Sequence, residues 1–124
     1  MNLPVLVLAG GLGTRISKKY NRTQKCMIHF NKKPFLHYVL KNLEKNNVKK
    51  VILLVGYKSY QVVKFINNNK NNYKLDINFS FDGKKLLGTG GSVKKALGLI
   101  KKNFLLTYAD SYLDYNFKKI IKYY

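Results

Sequence analysis

Three glycines near the start of the chain follow a short apolar run, in a pattern that could hold an anion. Gly10, Gly11 and Gly13 come directly after residues 3–9, a run typical of a strand buried in a parallel sheet. Because glycine has no side chain, backbone N–H groups in such a loop can approach a phosphate closely. An ordinary tight turn also uses glycine, so the loop alone leaves a phosphate site and a turn both open.

Two known phosphate-binding motifs do not match this loop. A dinucleotide fingerprint needs a third glycine three residues after Gly13 and an acidic residue about 20 positions further on. The chain has Ile16 at the first of these positions, and its first acidic residue is Glu44. A Walker-type loop needs Gly-Lys-Ser/Thr, whereas this chain has Gly13-Thr14-Arg15. Both the NAD and the Walker interpretations are therefore excluded.

The elements that must position these residues alternate between strands and helices. Hydrophobic periodicity predicts strands over residues 3–9, 51–56, 75–81 and 104–109, and helices over residues 34–45, 59–67, 92–100 and 117–124. Ser92 is the expected N-cap of the third helix, and residues 67–72 are expected to form a loop tip. This alternation predicts an α/β fold, a Rossmann-like three-layer α/β/α arrangement with a mostly parallel sheet.

The predicted sheet brings three chemical features to one place. Ligands of such sheets bind beyond the carboxyl ends of the strands, where the Gly10 loop, the glycine cluster that begins at Gly88, and Asp110 all fall. Asp110 could cap a turn, but an acid at this end of a strand favours a metal site. Arg15 is one of only two arginines and lies beside the glycine loop, which favours a functional role.

Length and composition limit the class of protein. A chain of 124 residues predicts a single domain over residues 1–124. The apolar residues are interrupted too often for a membrane helix, and the start of the chain lacks the pattern of a signal peptide. The single Cys26 cannot form an internal disulfide. We therefore expect a cytoplasmic protein with no membrane partner.

The net charge of +19 leaves a nucleic-acid partner as an open alternative. The excess is nearly all lysine, spread along the chain with many asparagines. Base readout and tight phosphate clamping depend on arginine, and the chain has only Arg15 and Arg22. This distribution favours solvated surfaces over a nucleic-acid interface.

Three segments together resemble the sugar-1-phosphate nucleotidylyltransferases. The first runs from Leu8 to Arg15, with Lys25 ten residues further on and the segment 31–36 after it. The second is Leu87-Gly88-Thr89-Gly90-Gly91-Ser92, and the third runs from Leu106 to Tyr112. The resemblance covers essentially the whole chain, in order and at the expected spacing. Within the family, the chain most resembles members that act on mannose- or heptose-type sugar phosphates.

The resemblance implies a truncated nucleotide-diphospho-sugar transferase fold and a specific reaction. A sugar 1-phosphate oxygen attacks the α-phosphorus of a nucleoside triphosphate, and pyrophosphate leaves. Catalysis of this kind is mainly positioning and electrostatic stabilisation. The resemblance assigns catalysis to Arg15 and Lys25, Mg²⁺ binding to Asp110, and nucleotide binding to Ala9, Gly10, Gly11, Gly13, Thr14, Gly88 and Thr89.

The chain departs from the family pattern in two ways. Where the family has proline on both sides of the lysine, this chain has Gln24-Lys25-Cys26, so the sequence does not predict a fixed position for Lys25. Family members are also normally much longer. Two alternatives therefore stay open: a catalytically incomplete nucleotide-binding fragment, and a homo-oligomer that pairs at an open sheet edge. The sequence does not identify the base or the sugar.

Overall fold

The computed structural model describes residues 3–10, 23–83, 85–100, 103–114 and 116–123. Within these ranges the strands are β1 (Val5–Leu8), β2 (His29–Phe30), β3 (Lys33–Pro34), β4 (Lys50–Val55), β5 (Asp76–Phe81) and β6 (Leu105–Tyr108). The helices are α1 (Phe35–Lys45), α2 (Ser59–Asn69), α3 (Gly88–Ala96) and α4 (Phe117–Lys122). Short 3₁₀ turns cover Lys25–Met27, Lys70–Asn72 and Leu97–Leu99.

A four-stranded sheet with the order β5–β4–β1–β6 forms the centre of the fold, and every pair in it is parallel. In β1, Val5 lies opposite Val51 and Leu105, while Leu8 lies opposite Leu54 and Tyr108. The predicted parallel sheet is thus confirmed. A small antiparallel ribbon of β2 and β3 was not predicted, because two-residue strands are too short to show a period.

Helices cover both faces of the sheet, which confirms the three-layer arrangement. On one face, Val5 and Val7 belong to a core cluster that also contains buried residues of α1, α2 and α4. On the other face, Leu6 packs in a second cluster with Ala96 of α3 and with Ile100. Successive residues of a strand point to opposite faces, so an unbroken apolar run suits a strand that is covered on both.

The apolar spacing of α1 explains both its existence and its orientation. Leu36, Val39, Leu40 and Leu43 recur at helical intervals and are at most 4% exposed, so one stripe of the helix faces the sheet. Pro34 precedes the helix with φ −64°, which suits a helix entry. Among the helices of the described residues, none combines the length and the apolar character that a membrane span requires.

The prediction of a loop tip over residues 67–72 is wrong. Helix α2 continues to Asn69, and a 3₁₀ turn follows it. The asparagine side chains supply the bonds that end the helix: Asn69 Nδ2 donates to Phe65 O at 2.8 Å, and Asn72 Nδ2 donates to Asn69 Oδ1 at 3.1 Å. Local side-chain bonding of this kind is a known property of asparagine.

The burial of α1 against the sheet predicts an unequal effect of two leucine truncations. Leu40→Ala removes a fully buried side chain and should lower the free energy of unfolding by about 2–5 kcal/mol. Leu99→Ala, at a position that is 53% exposed, is the matched control and should change it by about 0.5 kcal/mol or less. Urea denaturation followed by circular dichroism measures both; equal losses would contradict this packing.

Candidate functional site

A cavity of about 340 Å³ opens at the carboxyl ends of the central strands. Strands β4 and β5 lie on one side of β1 and β6 lies on the other, so the strand order reverses beside β1. Such a reversal creates the crevice in which open α/β sheets bind ligands. The residues lining the cavity include Ala9, Gly10, Lys25, Gly88, Thr89 and Asp110, all of them predicted from the sequence.

The remaining predicted site residues, Gly11, Gly13, Thr14 and Arg15, lie outside the described residues. The structure therefore brings together the predicted residues from the end of β1, from the turn at Lys25, from the start of α3 and from the end of β6. They are up to 101 positions apart in the sequence, and the parallel sheet is what makes them neighbours.

The end of β1 is held from both sides. Ala9 N donates to Leu54 O of β4 at 2.8 Å, and Ala109 N, just after β6, donates to Leu8 O at 2.9 Å. The following residue, Gly10, lies so close to β4 that a Cβ atom there would come within 3.2 Å of Gly56 N. A side chain at position 10 would therefore need the backbone at Gly56 to move by a few tenths of an ångström, and glycine avoids this shift.

An ion pair spans the cavity wall between the turn and β6. Lys25 Nζ lies 2.7 Å from Asp110 Oδ2, and the two side chains are 37% and 30% exposed. Each charge compensates the other while both remain accessible from the cavity. The ammonium can accept an anionic ligand as a new partner, and the carboxylate can accept a cation.

The turn that carries Lys25 is well defined, contrary to what the missing prolines suggest. Residues Lys25–Met27 form a 3₁₀ turn, and Gln24 is its N-cap, with Oε1 accepting from Cys26 N at 2.8 Å. Gln24 Nε2 also donates to Ala9 O at 2.7 Å. Glutamine is not among the usual N-cap residues, so the sequence carries no signal for this role.

Cys26 lies in the same turn and is 1% exposed. Burial raises the pKa of its thiol to about 12, and the neighbouring Asp110 carboxylate acts in the same direction. The thiol is therefore neutral at physiological pH, and a neutral, buried thiol is a poor nucleophile and a poor metal ligand.

Asp82 is a cavity residue that the sequence reasoning missed. Its Oδ1 accepts from Ser92 Oγ at 2.6 Å, and its Oδ2 accepts from Leu87 N at 3.2 Å. Asp82 is followed by Gly83, which has φ +84°. An Asp-Gly pair is a recognised turn signal, and it could have marked this position.

The bonds of Asp82 also explain why helix α3 begins earlier than predicted. The helix starts at Gly88 and not at residue 92, so the prediction of Ser92 as the N-cap is wrong. Ser92 lies inside the helix, where it is 8% exposed and reaches back to Asp82. Gly88 has φ +70°, a conformation that favours glycine. Backbone conformation therefore favours glycine at the first helical position.

The described residues contain no group of three or more His, Cys, Asp or Glu side chains that could enclose a metal ion. The carboxylates on the cavity wall are those of Asp82 and Asp110. Both oxygens of Asp82 already accept hydrogen bonds from α3 and the residue before it. Asp110 is therefore the better placed of the two to contribute to a cation site, with further ligands from a bound molecule.

Comparisons with known proteins agree on one family. A family model described as nucleotidyl transferase matches residues 4–124. The D-glycero-alpha-D-manno-heptose 1-phosphate guanylyltransferase of Campylobacter jejuni is 34% identical over 95% of this chain and 52% of its own length. The enzyme of the same name from Aneurinibacillus thermoaerophilus is 36% identical over 76% of this chain and 40% of its own length.

A solved structure agrees with these relatives. The crystal structure of HddC from Yersinia pseudotuberculosis complexed with GMP-PN has a TM-score of 0.89 and 31% identity, covering 98% of this chain and 53% of that chain. The chain thus spans about half the length of the relatives it matches.

The contacts of Asp82 predict a local stabilising role that a matched variant can isolate. Asp82→Ala removes the acceptor for Ser92 and Leu87, and we expect the free energy of unfolding to fall by about 1–3 kcal/mol. Asp76→Ala removes the same charge from an exposed position with one long contact, 3.3 Å from Asn78 Nδ2, and should cost less than about 1 kcal/mol. Urea titration measures the free energy of unfolding of both variants. A decrease of the same size in each would rule out this role.

Proposed function

Since the chain belongs to the nucleotidyl transferase family, we propose that its cavity binds the nucleoside triphosphate of a sugar-1-phosphate nucleotidyltransferase reaction. The observation that carries the proposal is the exposed Lys25–Asp110 ion pair on the wall of a cavity that Ala9, Gly10 and Gly88 also line. A triphosphate with a bound cation offers each member of that pair a partner of opposite charge.

The proposed reaction joins a sugar 1-phosphate to a nucleoside monophosphate. An oxygen of the sugar phosphate forms a bond to the α-phosphorus, the bond from that phosphorus to the β-phosphate oxygen breaks, and pyrophosphate leaves. Negative charge is redistributed over phosphoryl oxygens during the transfer, so the protein contributes positioning and electrostatic stabilisation. No acid–base pair is needed for this step.

Cationic and N–H groups of the chain have separate tasks in the proposal. The Lys25 ammonium, released from Asp110, acts as a point charge against the phosphates. The backbone of Gly11, Gly13 and Thr14 holds the triphosphate, and Arg15 neutralises the leaving pyrophosphate. These roles come from the family pattern, and the position of Gly10 at the cavity wall supports them because Gly10 directly precedes these residues in the sequence.

The nucleoside is proposed to lie against the start of α3. Gly88 and Thr89 line the cavity there, and Gly88 lacks a side chain that would keep a base or ribose away from the backbone. The first N–H groups of a helix have no partner within the helix, so they are available to oxygen atoms of a ligand. Ala9 also lines the cavity.

We propose Mg²⁺ as the cation, with Asp110 as its protein ligand. Mg²⁺ prefers carboxylate and phosphate oxygens and is usually held by one or two carboxylates together with the substrate. The single available carboxylate of Asp110 fits that donor set. When bound, the ion would neutralise charge on the phosphate oxygens. Lys25 then no longer pairs with Asp110 and is free to face the phosphates.

The two relatives described above support guanine as the base and a mannose- or heptose-type sugar 1-phosphate as the second substrate, since both are D-glycero-alpha-D-manno-heptose 1-phosphate guanylyltransferases. The HddC structure is a complex with GMP-PN, which supports binding of a guanine nucleotide by this chain. A cytoplasmic location stays a prediction from the sequence.

Nucleotide binding without turnover is the second candidate. The chain spans 52% of the Campylobacter jejuni relative, and a cavity that holds the triphosphate does not by itself hold the sugar phosphate. This candidate shares the first step of the proposal, so binding and turnover must be measured separately.

Calorimetric titration with GTP, CTP, UTP and dTTP tests the proposed site. We expect saturable binding of GTP in Mg²⁺, weakened at least about tenfold in Asp110→Ala because a metal ligand is lost. In EDTA the same variant should bind GTP as well as the unaltered chain or better. In the variant the Asp110 carboxylate no longer competes for Lys25 as an ion-pair partner, and it no longer repels the phosphates. Asp114→Ala, which removes the same charge from an exposed position, should behave like the unaltered chain.

Binding to none of the four triphosphates by a folded chain would refute the site. Release of pyrophosphate in the presence of a mannose- or heptose-type sugar 1-phosphate would establish turnover. Binding without release would establish the second candidate.

The two arginines allow the triphosphate and nucleic-acid interpretations to be separated. Arg15→Ala should weaken GTP binding by about 1–3 kcal/mol, because a charged contact to the phosphates is lost. Arg22→Ala makes the same change in charge and should have little effect. A nucleic-acid binder would show an affinity that falls steeply with salt and is indifferent to Arg15→Ala. Fluorescence anisotropy with labelled single-stranded and duplex DNA at about 150 mM salt checks that outcome.

A further inference from the structure

Gln24 is a polar residue in a buried position, and its hydrogen bonds join three parts of the fold. The residue is 1% exposed. Its Nε2 donates to Ala9 O at the end of β1, and its Oε1 accepts from Cys26 N within the turn. Its backbone N donates to Gln61 Oε1 of α2 at 2.5 Å. Burial of an amide destabilises a protein unless its polar atoms are hydrogen-bonded, as they are here.

These bonds restrain the residues on both sides of Lys25. The residue before the lysine is tied to β1 and α2, and the amide of the residue after it is tied to the Gln24 side chain. The lysine backbone therefore has little freedom, and its side chain leaves the turn towards Asp110, 2.7 Å away. In this chain the amide of Gln24 supplies the constraint that prolines would otherwise supply.

We propose that Gln24 is the positioning residue for Lys25. It acts by holding the 3₁₀ turn against the end of β1, so that the Lys25 ammonium stays at the cavity wall. The proposal rests on the function proposed above, in which Lys25 faces the phosphates. It differs from direct binding of the ligand by Gln24, because the glutamine is 1% exposed and its amide is engaged within the protein.

The single cysteine of the chain makes the state of the turn measurable without any nucleotide. Cys26 is buried, so a thiol reagent reaches it only when the turn opens or the whole protein unfolds. We expect Gln24→Met, which keeps the length of the side chain and removes its amide, to speed labelling of Cys26 by about tenfold or more under native conditions.

Global destabilisation needs a matched control. Ile52 is fully buried in the cluster on the opposite face of the sheet from Cys26, so Ile52→Ala lowers the stability without touching the turn. At matched free energies of unfolding, set with a low concentration of urea, Gln24→Met should label faster than Ile52→Ala. Equal labelling rates would show that Gln24 contributes only to overall stability and would overturn the proposal.

A double-mutant cycle on GTP binding tests whether Gln24 acts through Lys25. Gln24→Met should weaken binding about tenfold when Lys25 is present and less than about twofold in the Lys25→Met background. Lys64→Met, at an exposed position on α2, is the control for the loss of one lysine. The same loss in both backgrounds would mean that Gln24 contacts the ligand itself or acts through another residue, and would overturn the proposal.

The two measurements keep this proposal separate from the function it rests on. Absence of GTP binding by the unaltered chain refutes the proposed function, and the positioning of Lys25 for phosphates falls with it. Faster labelling in Gln24→Met would still show that the glutamine holds the turn. GTP binding together with an unchanged labelling rate refutes only the role of Gln24.

Discussion

The position of β1 is the constraint on which the rest of the structure depends. This strand pairs with β4 along one edge and with β6 along the other, and both of its faces are covered by core residues. Its last residues are therefore fixed in every direction. The end of β1 receives the bond from Gln24, supports the approach of Gly10 to β4, and aligns β6 so that Asp110 faces the cavity. A change in the register of β1 would displace all of these groups together.

The chain is strongly basic, yet two acidic residues lie at the cavity, and each has a defined partner. Only 5 of the 124 residues are acidic, and both Asp82 and Asp110 line this cavity. A carboxylate beside a site for a polyanion weakens binding unless its charge is used. Asp82 uses its charge to hold the start of α3 through Ser92 and Leu87. Asp110 pairs with Lys25, which leaves it available to exchange that partner for a metal ion. Asp82 thus stabilises the cavity wall, whereas Asp110 is the acid proposed to meet the bound cation.

The sequence predicted the elements whose formation depends on burial, and it missed the residues whose roles depend on distant partners. The boundaries of α1 agree to within one residue, because its apolar stripe is dictated by the sheet it covers. The clustering of Gly10, Gly88 and Asp110 followed from the rule that parallel strands end at one edge. The bond from Gln24 spans 15 residues, and the bond between Asp82 and Ser92 spans 10. No local period or motif encodes contacts of that kind, so they could be found only in three dimensions.

Net charge and a fixed charge make different contributions to the recognition of an anion. The +19 charge of the chain attracts phosphates to the whole surface, and salt screens this attraction over about 10 Å. A surface field alone cannot orient a triphosphate, because mobile lysines adapt to many positions at an entropic cost. Lys25 is restrained at both its backbone and its charge: its turn is capped by Gln24, and its ammonium is held by Asp110. In the proposed function, selective binding at this cavity depends on the hydrogen bonds that restrain Lys25, and a further increase in lysine content would not replace them.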